Sequence, residues 1–246
     1  MAEPRHLENA PIREAIVDIR VKARPSLNAE DLSVLQSQVV DRFPKAEKQQ
    51  FFTAIVKPKK GQVTTEGRYV GIVCRSADGL EVVQFRVDGF TFNRLRPYTR
   101  WKSIWPTAFG LWKMYFAVAK PEAITRMALR YINQLEPKQH HIGDVLTIPT
   151  PCPPGLDVSI TKYSSKVTVR SIQLPGLAAH IAQALDQKPE SAEAVLLLDI
   201  DAFQSFNLLS EDATDQKIQE SFGRLHEFKN HIFFSSLSDE MIGDFE

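Results

Sequence analysis

Apolar and polar residues alternate from Ile12 to Val21. Ala15, Val17, Ile19 and Val21 fall on one side, and Glu14, Asp18 and Arg20 on the other. That period of two predicts a largely buried strand, ended by Pro25. Asn28 then offers a helix N-cap, and Leu32, Leu35, Val39 and Phe43 recur at helical spacing up to Pro44. Four further strands are predicted at Phe51–Lys57, Tyr69–Arg75, Glu81–Val87 and Phe90–Leu95, with hairpin turns at Asp78-Gly79 and Asp88-Gly89. The aromatic-rich stretch Thr99–Ala119 predicts a helix, with Pro106 near its start or kinking it.

The second half reads in a similar order. Ile124–Leu135 predicts a strand and Ile142–Leu146 a short helical turn. The run Pro149-Thr150-Pro151-Cys152-Pro153-Pro154-Gly155 predicts a loop. Strands are predicted at Leu156–Tyr163, Val167–Leu174, Ala178–Leu185 and Ala194–Phe203, although the alanines near Ala178 also suit a helix. Ala213–Phe234 carries Ile218, Phe222, Leu225 and Phe228 at helical spacing, with Thr214 or Asp212 to cap it. The expectation is a single α+β domain with a mostly antiparallel sheet and helices on one face. Its two pseudo-repeat halves, about 7–120 and 121–246, would each run strand, helix, four strands, helix. That order resembles the duplicated fold of the TATA-box-binding protein, in architecture only.

Composition changes the picture in three places. The only cysteines, Cys74 and Cys152, lie far apart, which excludes a disulfide framework and predicts a reducing, cytoplasmic setting. The start Met-Ala-Glu-Pro-Arg-His is polar and predicts no signal peptide. Apolar runs such as Ala194–Leu198 are far short of a membrane span, which predicts no membrane contact. Net charge is zero, yet residues 1–120 carry 20 Lys and Arg against 12 Asp and Glu, and the remainder carries 10 against 18. A split of +8 and −8 suggests an anionic partner for one face or self-association; an unevenly charged, solvated surface accounts for it as well.

Several strings carry a resemblance. They are Leu7-Glu8-Asn9-Ala10-Pro11-Ile12-Arg13-Glu14, the stretch from Val83 through Asn93-Arg94-Leu95-Arg96-Pro97-Tyr98 to Trp101, Arg130-Tyr131-Ile132-Asn133, and Leu198-Asp199-Ile200-Asp201. The closing stretch from Leu225-His226 to Leu237-Ser238-Asp239 completes the set. Together they resemble a sporadically distributed bacterial protein family without an established activity. The resemblance spans nearly the whole chain and implies one architecture and a bacterial, cytosolic setting. It supplies no catalytic residues.

Candidate chemistry therefore comes from residue types. Arg94, Arg96, Tyr98, Arg100 and Trp101, with Lys102, interleave positive charge with aromatic faces at a strand-to-helix junction, where guanidinium groups and free backbone N–H groups suit an anion. The structural alternative is an ordinary junction whose arginine stems cover apolar surface. Arg126 and Arg130 share a strand face across Ala128, leaving room for an anion; pairing with Asp199 or Asp201 is the structural alternative. Those two aspartates would also suit a hard cation, but no third ligand is suggested nearby. Lys57, Lys59 and Lys60 read as a hairpin tip, and His140-His141 as loop residues. No metal site, nucleophile elbow or glycine-rich phosphate loop is present, so no cofactor is expected.

Three functions follow in order. The first is a non-enzymatic binding or regulatory protein acting through protein–protein contact or self-association, with an antitoxin-like or defence role suggested by the sporadic family. The second is a nucleic-acid or nucleotide binder using the basic–aromatic cluster, a reading without a reader motif. The third is an enzyme on an anionic small molecule.

Overall fold

The computed structural model describes residues 7–57, 62–98, 100–136, 145–147, 160–187 and 194–246. Nine strands form a sheet in which every pair is antiparallel. They are β1 (Ile12–Lys22), β2 (Lys45–Lys57), β3 (Gln62–Arg75), β4 (Glu81–Arg86), β5 (Gly89–Leu95), β6 (Ala123–Leu135), β7 (Lys162–Arg170), β8 (Leu177–Gln187) and β9 (Ala194–Leu209). The α-helices with both ends among these residues are α1 (Val34–Val39), α2 (Trp101–Ala119), α3 (Asp215–Ser236) and α4 (Asp239–Gly243). The α+β expectation with a mostly antiparallel sheet holds.

The strand order β2-β3-β4-β5-β1-β6-β9-β8-β7 is symmetric about its centre. The first strand of each half, β1 and β6, lies in the middle, and these two pair with each other from Ile12↔Asn133 to Lys22↔Ala123. The last strand of each half, β5 or β9, sits next, and the remaining strands run outward to the edges β2 and β7. Among the described residues the second half contributes four strands against five in the first.

One face of the sheet is apolar. Ala15, Val17 and Ile19 of β1, Phe90 and Phe92 of β5, Met127, Leu129 and Tyr131 of β6, and Leu196, Leu198 and Ile200 of β9 are buried on it. Helices α2 and α3 cover that face. Trp112 of α2 meets Phe90 edge-on at 6.0 Å, and the Tyr115 hydroxyl donates to the Arg86 carbonyl at 2.8 Å. Trp105 of α2 packs on Phe222 of α3 at 4.7 Å between ring centres. Buried residues of both halves join in one hydrophobic cluster. At Gly89 an added Cβ would lie 2.4 Å from the Ile19 carbonyl oxygen, so only glycine lets β5 lie against β1 there.

The boundaries of both edge strands differ from the expectations. β2 begins at Lys45 rather than Phe51, because an edge strand tolerates the polar run Lys45–Gln50. Among the described residues, the segments expected as Leu156–Tyr163 and Val167–Leu174 contain one strand, Lys162–Arg170, which turns through Pro175-Gly176 into β8. Ala178–Leu185 is strand, not helix. Pro106 lies within α2, in its second turn, where it leaves the Lys102 carbonyl without an intrahelical donor. The expected loop at 149–155, His140, His141, Lys59 and Lys60 lie outside the described residues.

Candidate functional site

The sequence candidates separate onto opposite faces of the sheet. On the face away from the helices, Arg126 makes a two-pronged contact with Asp201 at 2.7 and 2.9 Å, and Arg130 grips Asp199 at 2.5 and 2.8 Å. The register Arg130↔Asp201 and Ile132↔Asp199 places these side chains on neighbouring strands of the same face. Asp18 lies beside them. It accepts from Arg20, Arg126 and the Thr91 hydroxyl, and Arg86 Nη2 sits 3.5 Å from it, an ion pair without hydrogen-bond geometry. The Arg126 guanidinium also lies 4.7 Å from the Phe203 ring centre. Arginines and aspartates here neutralise one another. The space expected for an anion between Arg126 and Arg130 is therefore flanked by their own carboxylates, and both arginines serve the sheet. Arg94, which the register puts on the helix-covered face with Phe90 and Phe92, is also engaged, 3.4 Å from Glu81, which Arg42 holds at 2.8 Å through both prongs.

The other face differs. At one end of the molecule the starts of β1 and α2, the end of β6 and the second half of α3 leave a cleft of about 660 Å³. Tyr98, Arg100, Trp101 and Lys102 come from the junction before α2, and Asn133 from β6. His226, Lys229, Asn230, Phe233 and Phe234 come from α3. Of the expected cluster, Tyr98, Arg100 and Trp101 therefore meet at this cleft, while Arg94 and the solvent-exposed Arg96 do not line it. Among the described residues no carboxylate lines the cleft.

Lys229 is its central feature. The residue is 6% exposed and among the described residues makes no ion pair or hydrogen bond. Its Nζ sits 3.8 Å from the centre of the Tyr131 ring. Such a cation–π contact offsets only part of the cost of dehydrating an ammonium. Burial accordingly pushes the lysine down to about 7. The same environment lowers His226 to about 4, through burial first and then the positive charge of Lys229, so its imidazole is neutral near pH 7. His226 stacks on Trp101 at 5.0 Å with 15° between planes, and Trp101 stacks on Trp105 at 5.3 Å.

Below Lys229 the Tyr98 and Tyr131 hydroxyls share a hydrogen bond of 3.0 Å. Burial raises both phenols, that of Tyr131 well above the ordinary range, so neither supplies a counter-charge. Asn133, 1% exposed, donates to the Leu198 carbonyl at 2.9 Å and thereby has its amide fixed. At the mouth, α2 begins after Arg100 with no side-chain cap and no acidic residue in its first turn. The N-terminal end of this 19-residue helix thus adds its partial positive charge to Arg100 and Lys102.

Sequence reasoning missed Lys229 although a signal was present. The buried stripe of α3 runs Ile218, Phe222, Leu225, Lys229, Ile232 and Ser236, with steps of four and three. Extending the stripe to Phe228 put a half-buried phenylalanine where the helical period places the lysine. A lysine on a core stripe is the mark of a group held for a purpose or matched by a partner. The aromatic surface of α2, one support for expecting a protein partner, is largely used within the chain, against β5 and α3. Among the described residues no group of histidine, cysteine and acidic side chains could hold a metal, and no helix is long and apolar enough to cross a membrane. In comparisons with known proteins, no family model and no curated protein matches the chain.

Proposed function

We propose that the protein binds an anionic small molecule in the cleft between α2 and α3. The observation that carries this reading is a buried lysine without a counter-ion, facing a cleft that holds further cations and no described carboxylate. An anionic guest in the cleft would meet the cations at its mouth and relieve part of the cost of burying the ammonium, so ligand charge turns a destabilising group into a binding one. Trp101, Phe233 and Phe234 offer apolar surface for the body of the ligand, and Arg100, Lys102 and the start of α2 suit a phosphate or carboxylate. The volume fits a metabolite-sized guest.

This reading takes up the expectation of a nucleotide binder through the basic–aromatic cluster, at Tyr98, Arg100 and Trp101, and not the expectation of an enzyme built on Arg126 and Arg130, which lie on the other face. A single- or double-stranded nucleic acid is less well supported, because the arginines of the broad open sheet face are matched by aspartates. The test is a thermal-shift series with phosphate- and carboxylate-bearing aromatic compounds against their neutral analogues. Anions should raise the melting temperature of the wild type and leave Lys229→Met unmoved. Equal response to neutral analogues, or an undiminished response in the variant, contradicts the reading.

A further inference from the structure

We propose that Lys229 is a nucleophilic amine which condenses with the carbonyl group of an anionic aldehyde or ketone and holds it in the cleft as an imine. This inference rests on the proposed anion-binding role of the same cleft and names the substrate class within it.

Most lysines cannot do this at neutral pH, because a hydrated ammonium has no lone pair to offer. Lys229 differs in position. Its stem is enclosed by α3 and β6, its Nζ lies over the Tyr131 ring, and no described carboxylate stands near to hold the proton. The titratable groups around it leave that state intact. His226 on α3 is neutral, Tyr131 on β6 and Tyr98 before α2 are neutral phenols, Arg100 and Lys102 stand at the start of α2, and burial alone lowers the lysine. The result is an amine that gives up its proton near pH 7, at the floor of a cleft with cations at its mouth. That polarity suits a guest with an anionic end outward and an electrophilic carbon inward.

The step balances within itself. The Nζ lone pair attacks the carbonyl carbon, and the C=O π pair moves to oxygen, which takes up a proton as the nitrogen loses one. The resulting carbinolamine expels that oxygen as water, with the second amine proton, while the C=N bond forms. One water leaves, no atom changes hands with a further reactant, and nothing is oxidised or reduced overall.

The experiment uses the full chain and pyridoxal 5′-phosphate, an aromatic aldehyde carrying a phosphate, followed by borohydride reduction, intact-mass measurement and peptide mapping over a pH series from about 6 to about 9. Pyridoxine 5′-phosphate, with an alcohol in place of the aldehyde, reports binding without condensation. The expected result is one reduced adduct per chain, on Lys229, forming at pH 7 about ten-fold or more faster than on any exposed lysine, with an onset near pH 7. Pyridoxine 5′-phosphate should slow it by competition. Lys229→Arg should still bind pyridoxine 5′-phosphate and give no adduct at this position. The rate and pH profile of the wild type decide the matter even if the variant does not fold. Binding of pyridoxine 5′-phosphate without preferential labelling of Lys229 overturns the imine and leaves the anion cleft standing. Binding of neither compound, with labelling spread over exposed lysines, overturns both.

Discussion

The two faces of the sheet carry the same kinds of charge and treat them in opposite ways. On the open face, arginines and aspartates from β1, β4, β6 and β9 lock into pairs at 2.5 to 3.5 Å. Under α3, a lysine is buried with only an aromatic ring for company. The first arrangement resists breakage because each removed partner strands another charge. The second is stable at a cost that only a ligand, or loss of the proton, lifts. Positive residues in a sequence therefore report little about binding until their partners are known, and the unpartnered one is the informative one.

The comparison can be broken from the open face first. Asp18→Ala removes the carboxylate that accepts from Arg20, Arg126 and the Thr91 hydroxyl and lies 3.5 Å from Arg86, while Arg20 and Arg86 keep Asp88 and Arg126 keeps Asp201. Urea unfolding should show a loss of about 1–3 kcal/mol, the cost of leaving buried donors such as the Thr91 hydroxyl without their acceptor. A loss below about 1 kcal/mol would mean that the network is solvent-screened and that the contrast between the faces is false.

Lys229→Met should act with the opposite sign. The folded lysine titrates at about 7 and the unfolded one near 10.5, so between those values the unfolded state binds more protons. Wild-type stability from this group is thus fully recovered above about 10.5 and lost as the pH falls through 7. The methionine variant should be more stable than the wild type by a few kcal/mol, of the order of 3–5 at most, below pH 7. The advantage should fade toward pH 10, as read by chemical denaturation across a pH series. A pH-independent difference would show that Lys229 is ordinarily hydrated.

Tyr98→Phe deletes one hydroxyl of the buried pair beneath the lysine and should cost about 1 kcal/mol in the same assay. Arg100→Ala, at an exposed position, should change stability by less than about 0.5 kcal/mol while weakening any phosphate-bearing guest. If Arg100→Ala binds such a guest as tightly as the wild type, the cleft mouth does not read charge.

Much of the fold was legible because it depends on local periodicity. The alternation around Asp18 and around Asp199 and Asp201 placed charged residues together on one face, and the register of β6 with β9 put acids beside arginines. What periodicity could not show is the pairing order that makes the first strand of each half meet at the centre. The edges were misread for a different reason. In β7 and at the start of β2 both faces are partly solvated, so Ser164, Ser165 and Lys166, or Lys45 to Gln50, lack the apolar beat that marks interior strands. The cleft was half visible. Tyr98, Arg100 and Trp101 stood out by composition, but Lys229, His226 and Asn133 come from elements far away in sequence, and only helix packing brings them to the same place. The uneven charge of the halves also finds part of its answer inside the chain, where Lys22 meets Glu122 and Lys113 meets Asp215 across the divide.

The lone ammonium under α3 has a consequence beyond recognition. A chain that keeps such a group inside is looser when vacant than when occupied, since a bound anion favours the native form by mass action. Proteolytic turnover follows the share of molecules that open. On the proposed reading, scarcity of the guest would shorten the life of its own receptor, and abundance would preserve it.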